Sequence, residues 1–152
     1  MRRDFGNGQP RRKIVHSASV TYGAVAAFGR NATTGELTFV EDEKDGTCGV
    51  GGFDRAASIA LNPDGKHLYV AAKNDDAFGG VQPECNGRKS NVYRDGGRRG
   101  GGDGLDGATS VIVRPDGNHV DATSNQDHTL TEFIRNGTTG NLTFVEAQKD
   151  GV

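Results

Sequence analysis

Several residue types and patterns are scarce or missing in this chain of 152 residues, which has no Trp, one Met, four Pro and two Cys. No apolar run approaches the ~20 residues that a membrane-spanning helix needs, which excludes a helical membrane protein. The 18 basic and 20 acidic residues nearly balance. Charge alone therefore does not point to nucleic acid or to an anionic membrane as a partner.

The beginning of the chain and its cysteines place few constraints on location. Met1-Arg2-Arg3 is basic, but no apolar stretch of about 7–15 residues follows it, so no secretory signal is predicted and a cytoplasmic location is the default expectation. Cys48 and Cys85 are too few for a disulfide framework. Two free thiols are favoured over a bridge, and the redox compartment stays open.

Glycine is the abundant residue, with 24 of 152 positions, or about 16%, against a usual ~7%. Each glycine inside a helix costs ~1 kcal/mol, which argues against a helical bundle. Hydrophobic residues make up 33% of the chain and aromatic residues 7%. This composition is typical of a glycine-rich, turn-rich β protein with a small core, or of a partly disordered chain.

The chain contains an internal repeat. Phe28–Glu41 reads FGRNATTGELTFVE, and 105 residues later Phe133–Glu146 reads FIRNGTTGNLTFVE. Ser58–His67 reads SIALNPDGKH, and 52 residues later Ser110–His119 reads SVIVRPDGNH. A unit of about 52 residues explains both spacings. The sequence thus predicts a single repeat region over 1–152 with units near 2–50, 51–102 and 103–152.

Each unit is predicted to form four antiparallel strands. In the last unit, Pro115-Asp116-Gly117 predicts a tight turn, because proline presets φ and glycine accepts the left-handed conformation. Leu142 and Phe144 alternate with Thr143 and Val145, a pattern that fits a sheet with one better-buried face. The predicted strands are 110–113, 119–123, 129–134 and 142–146, with 68–72 as the second strand one unit earlier. Four short strands in a repeated unit are typical of a β-propeller blade.

The repeat resembles a known family. The phrases PDGKHLYVA, DGLDGATSV and TGNLTFVE are similar to the lactonase family of seven-bladed β-propellers, which includes 6-phosphogluconolactonase-type enzymes. The resemblance covers residues 24–77 and 103–152. It implies an all-β fold, a β-propeller fragment of up to three four-stranded blades with irregular Gly/Arg-rich segments between them. These motifs belong to the scaffold and assign no catalytic residue.

Residues 78–102 do not show the strand pattern that the repeat requires, and Pro83 falls where a strand is expected. Read one base out of frame, however, codons for 80–94 permit VFSRNAT, one free residue and GNLTFIE, which is the missing repeat text. Codons for 2–13 permit GATSVTVSPDGK in the same way. We therefore predict that 2–23 and 78–102 derive from frame-shifted repeat sequence; divergent loops that never had strand sequence are the alternative.

Two glycine-rich motifs have a structural and a functional interpretation. Gly102–Gly107 matches G-x-G-x-x-G, but the dinucleotide fingerprint needs a helix after it, and a β-type segment follows here. Asp103 and Asp106 offer too few oxygens for Ca²⁺, so a turn is favoured. Arg94, Arg98 and Arg99 among glycines resemble a nucleic-acid-binding segment, yet only Tyr93 accompanies them, and no nucleic-acid partner is predicted.

No other motif identifies a catalytic, cofactor or metal site. His67 and His119 occupy equivalent turn positions, whereas His16 and His128 have no recognisable partner in the sequence. Asn31, Asn136 and Asn141 begin glycosylation sequons, but asparagine is also favoured at turns for its backbone geometry. The motifs show no metal-ligand spacing, and no cofactor is predicted.

The first functional hypothesis is a fragment of a lactonase-like β-propeller, related to sugar-lactone hydrolases and inactive alone. The resemblance implies a sugar lactone or carbohydrate as the ligand of such a propeller. The alternative is a non-enzymatic propeller-repeat module with a binding or surface role. No membrane partner is predicted, and exposed edge strands favour self-association.

Overall fold

The regular structure of the described residues is a series of antiparallel sheets. A computed structural model describes residues 14–44, 52–74, 77–81, 91–94 and 104–151. These residues form three sheets, in each of which neighbouring strands pair in chain order. The first sheet contains β1 (Ile14–Ser19), β2 (Ala24–Arg30) and β3 (Leu37–Lys44). The second contains β4 (Ala56–Leu61), β5 (Leu68–Ala72), β6 (Ala77–Val81) and β7 (Asn91–Arg94). The third contains β8 (Ala108–Val113), β9 (His119–Ser124), β10 (Thr129–Arg135) and β11 (Leu142–Lys149).

The four strands predicted for the last unit are confirmed. Strands β8 and β11 are the two outer strands of one sheet, with β9 and β10 between them. Leu142 and Phe144 are half-buried, whereas Thr143 and Val145 are exposed. The alternation in the sequence therefore identifies the better-buried face correctly.

The sequence repeat is also a repeat in strand register. Phe28 on β2 pairs with Phe39 on β3, and Phe133 on β10 pairs with Phe144 on β11. Each pair packs edge to face, with ring centroids 5.9 Å apart in the first sheet and 6.1 Å apart in the third. The register shifts just before Phe28 and just before Phe133. The irregularity thus falls at the same repeat position in both sheets, as expected for a β-bulge that belongs to the repeat.

The Pro-Asp-Gly turns form as predicted. Gly65 and Gly117 adopt φ values of 75° and 71°, a conformation that glycine accepts without a Cβ clash. The Asp64 carboxylate accepts a hydrogen bond from the Lys66 backbone N–H at 2.8 Å. Asp116 accepts the equivalent bond in the third sheet from the Asn118 N–H at 2.9 Å.

The expectation that 78–102 lacks strands is wrong for part of that segment. Strands β6 and β7 occupy Ala77–Val81 and Asn91–Arg94, which lie 52 residues before the corresponding strand positions of the third sheet. Strand β6 pairs along its length with β5. Because backbone hydrogen bonds need no particular side chain, a well-formed β5 edge can hold a glycine-containing partner strand. Pro83 and the remaining residues up to 102 lie outside the described residues, apart from β7.

The core lies at the two junctions between sheets, and strand β5 is buried on both sides. Its five residues are all buried. Leu68 and Val70 pack with Val25 of the first sheet. Tyr69 and Ala71 pack in the other junction with residues of the third sheet and of the segment before β8: Leu105, Ala108, Val111, Val120, Ala122 and Phe133. The apolar run LYVAA thus has the pattern of a strand covered on two faces.

Candidate functional site

A polar cluster of described residues lies between the second and third sheets and is centred on Arg135. Arg135 ends β10, and its guanidinium crosses to the second sheet. Its Nε donates to the Tyr69 hydroxyl at 2.8 Å, and its Nη2 donates to His67 Nδ1 at 2.6 Å. Its Nη1 donates to the Gly117 carbonyl at 2.9 Å, and the Asp64 carboxylate lies 3.6 Å from Nη2. The cluster joins one sheet to the next through a single side chain.

Burial and charge shift the protonation equilibria in this cluster. Burial, together with the positive charge of Arg135, lowers the pKa of His67. Burial opposes ionisation of Asp64, but the Lys66 N–H bond and the Arg135 charge outweigh it and lower the pKa of that carboxyl. Burial raises the pKa of Tyr69. At neutral pH the cluster therefore combines a neutral imidazole, a protonated phenol and a guanidinium beside a carboxylate.

His, Tyr, Arg and Asp side chains are residue types that hydrolases use, but here the imidazole and the guanidinium are buried and not accessible to a substrate. His67 is 4% exposed and Arg135 is 5% exposed. Since arginine can only donate, His67 Nδ1 is the acceptor and its proton is on Nε2. The Tyr69 hydroxyl donates to the Gly140 carbonyl at 3.0 Å. The polar groups of the cluster form hydrogen bonds with other groups of the chain. The cluster therefore holds the two sheets together and leaves little room for a substrate.

The two turn histidines that the repeat makes equivalent differ in their surroundings. His67 is buried because the third sheet covers it, whereas His119 is half-buried and its Nδ1 lies 2.9 Å from an Asp116 carboxylate oxygen. Sequence reasoning predicted their equivalence but missed Arg135. The sequence feature that could have identified Arg135 is the shared Phe-x-Arg-Asn motif, which places Arg30 and Arg135 at the same repeat position.

Among the described residues, a cleft between the first and second sheets is a candidate ligand-binding site. Its volume is about 300 Å³, at the small end of the range for small-molecule pockets. His16 and Arg30 are its polar lining residues, and the remaining walls are aliphatic: Ile14, Val15, Ile59, Leu61 and Leu68. Arg30 could bind a carboxylate or a carbonyl oxygen there. The sequence did not pair His16 with any other residue.

The glycine-rich motif at Gly102–Gly107 forms a turn where it is described. Gly104 and Gly107 have φ values of 72° and 69°, and strand β8 follows, not the helix that a dinucleotide site requires. The Asp106 backbone N–H donates to the Asp127 carboxylate at 2.9 Å, and its carbonyl accepts from the Ser124 hydroxyl. Asp103 lies outside the described residues.

The remaining predicted positions divide between confirmed turns and undescribed residues. Asn31 Oδ1 accepts the Thr33 N–H at 2.9 Å, and Asn136 Oδ1 accepts the Thr138 N–H at 2.9 Å, which confirms a turn role for both asparagines. His128 lies 3.9 Å from Asp150 at an exposed position. Outside the described residues are Cys48, Cys85, Arg98 and Arg99, as well as the side chain of Arg94.

Two further kinds of site are absent from the described residues. No group of three or more His, Cys, Asp and Glu side chains in this part of the chain could hold a metal ion. The same ranges contain no helix with the length and apolar character needed to cross a membrane.

Comparisons with known proteins identify the fold. No protein-family model and no curated protein matches the sequence, but solved structures do. A provisionally named 6-phosphogluconolactonase from Bacteroides fragilis matches 90% of the chain with a TM-score of 0.64 and 22% identity. The periplasmic gluconolactonase PpgL from Pseudomonas aeruginosa matches 91% with a TM-score of 0.67 and 16% identity. The WD40 repeats of RRP9 match 93% with a TM-score of 0.65 and 13% identity.

These similarities establish an all-β fold of the β-propeller type, and they support the lactonase-like resemblance seen in the sequence. The chain spans 36%, 37% and 36% of the lengths of those three structures. At such identities the match concerns the fold alone, because one propeller scaffold serves many functions.

Proposed function

We propose that this chain is part of a lactonase-like β-propeller and that it does not hydrolyse lactones by itself. The observation that carries this proposal is that the Arg135 cluster is buried and internally hydrogen-bonded. The groups best suited to acid–base chemistry, His67 and Tyr69, are buried at a sheet junction and bonded to other groups of the chain.

Lactone hydrolysis requires water to attack the ring carbonyl while a base removes a proton and donors stabilise the oxyanion. These groups must lie within about 3 Å of the reacting atoms. The cleft between the first and second sheets has one imidazole and one guanidinium, and none of its described lining residues is a carboxylic acid. An aliphatic wall of this kind does not position the hydroxyl groups of a sugar.

The proposed ligand of the whole propeller is a sugar lactone. Two of the three compared structures carry names of lactone-hydrolysing proteins, and the chain corresponds to 36% and 37% of their lengths. In propellers several blades surround one channel, so the remaining contacts to such a ligand would come from other blades.

Proton release from D-glucono-1,5-lactone at constant pH tests the proposal, because ring opening by water yields a hydroxy acid that ionises. We expect the purified chain to give the spontaneous rate. A form in which 2–23 and 78–102 carry the repeat text should fold better but also give the spontaneous rate. PpgL is the positive control. Saturable turnover by the chain as written, lost in Arg30→Ala and retained in Lys149→Ala, would overturn the proposal.

A further inference from the structure

The turns that follow β2 and β10 hold two asparagines in the same hydrogen-bonded geometry. The carboxamide oxygen of each accepts two backbone N–H groups of its own turn, at 2.9 Å and 3.2 Å for Asn31 and at 2.9 Å and 3.0 Å for Asn136. Both asparagines are exposed. The residue directly after the asparagine differs, because Ala32 follows in the first turn and Gly137 in the second. The chain thus contains a natural pair of turns that isolates the effect of this neighbour.

Gly137 leaves the backbone beside Asn136 open. A Cβ at Gly137 would have nothing within 4 Å, and Gly137 is not among the residues with positive φ. Among the described residues, none of the backbone hydrogen bonds in turns and loops has the Gly137 N–H as its donor. Because glycine has no side chain, its backbone can approach neighbouring groups closely. The Gly137 nitrogen is therefore accessible to the adjacent Asn136 carboxamide.

The turn also makes this carboxamide a better electrophile. The two N–H groups that donate to Asn136 Oδ1 withdraw electron density from Cγ. They are placed to stabilise the negative charge that Oδ1 acquires when a nucleophile adds to Cγ. Attack by the next backbone nitrogen is intramolecular, so it has no entropic cost of bringing two molecules together.

We propose that Asn136 is a site of spontaneous covalent modification. The Gly137 nitrogen, after losing its proton to solvent, attacks Asn136 Cγ. The N–Cγ bond forms, the Cγ–Nδ2 bond breaks, and Nδ2 takes a proton from water and leaves as ammonia. Water then opens the resulting cyclic imide. Addition at Cγ yields aspartate, whereas addition at the main-chain carbonyl yields isoaspartate, in which the chain continues through the side chain.

The modification affects the contact between the second and third sheets. Isoaspartate adds a methylene group to the main chain of the turn and converts the Asn136 carbonyl, which accepts the Gly140 N–H at 2.9 Å, into a free carboxylate. The Gly140 carbonyl in turn accepts the Tyr69 hydroxyl at 3.0 Å, and Arg135 directly precedes the modified residue. The product should therefore loosen the turn that contacts the second sheet.

Peptide mapping by mass spectrometry tests the proposal after incubation of the folded chain in warm, mildly alkaline buffer, which favours loss of the amide proton. We expect aspartate and isoaspartate to accumulate at position 136 while Asn31 keeps its amide. Asn7-Gly8 and Asn86-Gly87 contain the same dipeptide and lie outside the described residues, so they are mapped separately. The incubated chain should unfold at a lower urea concentration than the fresh chain.

Reciprocal variants of the two turns supply the matched controls. Gly137→Ala should slow the modification of Asn136 severalfold, and the open space at this position allows the variant to fold. Ala32→Gly should introduce the modification at Asn31. Circular dichroism checks that both variants keep their strands. The proposal is overturned if Asn136 of the wild type is modified no faster than Asn31, or if Gly137→Ala leaves the rate unchanged. An unaltered urea midpoint of the modified chain would overturn the effect on the sheet contact.

Discussion

Gly140 lies directly against the imidazole of His67, so close that a Cβ on Gly140 would overlap the ring. Gly140 also has a φ of 74°, and its carbonyl accepts the Tyr69 hydroxyl at 3.0 Å. The turn between β10 and β11 can therefore approach the second sheet only because it has no side chain at this position. The repeat-equivalent Gly35 has nothing within 4 Å of its would-be Cβ.

The paired glycines give the first prediction. Gly35→Ala should cost about 1–2 kcal/mol, since only the left-handed φ is affected. Gly140→Ala should cost at least ~3 kcal/mol, because the turn must also move away from His67 and open a packed junction. Urea unfolding of both variants measures the difference. Equal losses of unfolding free energy in the two variants would show that the turn at Gly140 is not packed against His67.

The second prediction concerns pH. Because the pKa of folded His67 lies below its unfolded value of about 6.5, protons bind the unfolded chain more readily. The contribution of His67 to stability is complete above pH ~6.5 and declines as the pH falls toward the folded pKa. The pKa of Asp64 is lowered from 3.8, so its effect is lost only at more acidic pH, and the interval of about pH 4.5–6.5 reports His67.

Urea unfolding across this pH interval is the measurement. His67→Asn retains an acceptor for Arg135 but cannot titrate, so its stability should fall less than that of the wild type as the pH decreases. Parallel pH profiles for His67→Asn and the wild type would contradict the prediction.

The third prediction concerns the coding DNA of residues 2–13 and 80–94. Each codon should be one of those whose last two bases, with the first base of the next codon, encode the repeat text. Sequencing the gene decides this directly. A single codon that cannot encode the repeat residue weakens the match, and several such codons would show that these segments were never repeat sequence.

Local strand structure could be predicted from the sequence because it depends on short patterns. The Pro-Asp-Gly turns and the Leu142/Phe144 alternation identified strands β8 to β11, and the 105-residue spacing identified β2 and β3 as the counterparts of β10 and β11 in the first sheet. Strands β6 and β7 were missed because their residues do not alternate. Their pairing depends on the edge that β5 offers, which no local pattern reveals.

The candidate site could be predicted only in part, because it depends on which faces meet. The repeat correctly equated His67 with His119, yet the two differ in burial because a sheet covers only one of them. Arg135 and Arg30 likewise share a position and differ in environment. The repeat predicts which residues lie on each face of a sheet. Which of those residues become buried depends on how the sheets stack, and the repeat does not show this.

The central claim is that the second and third sheets stack face to face and are joined by Arg135. A double-mutant cycle of Arg135→Met and Tyr69→Phe measures this most directly, with Arg135→Lys replacing the first variant if it does not fold. Because the guanidinium donates to the Tyr69 hydroxyl across the junction at 2.8 Å, we predict a coupling energy of about 1–3 kcal/mol in the unfolding free energies. Additive effects, within ~0.5 kcal/mol, would show that the two sheets do not meet through these residues and would contradict the account.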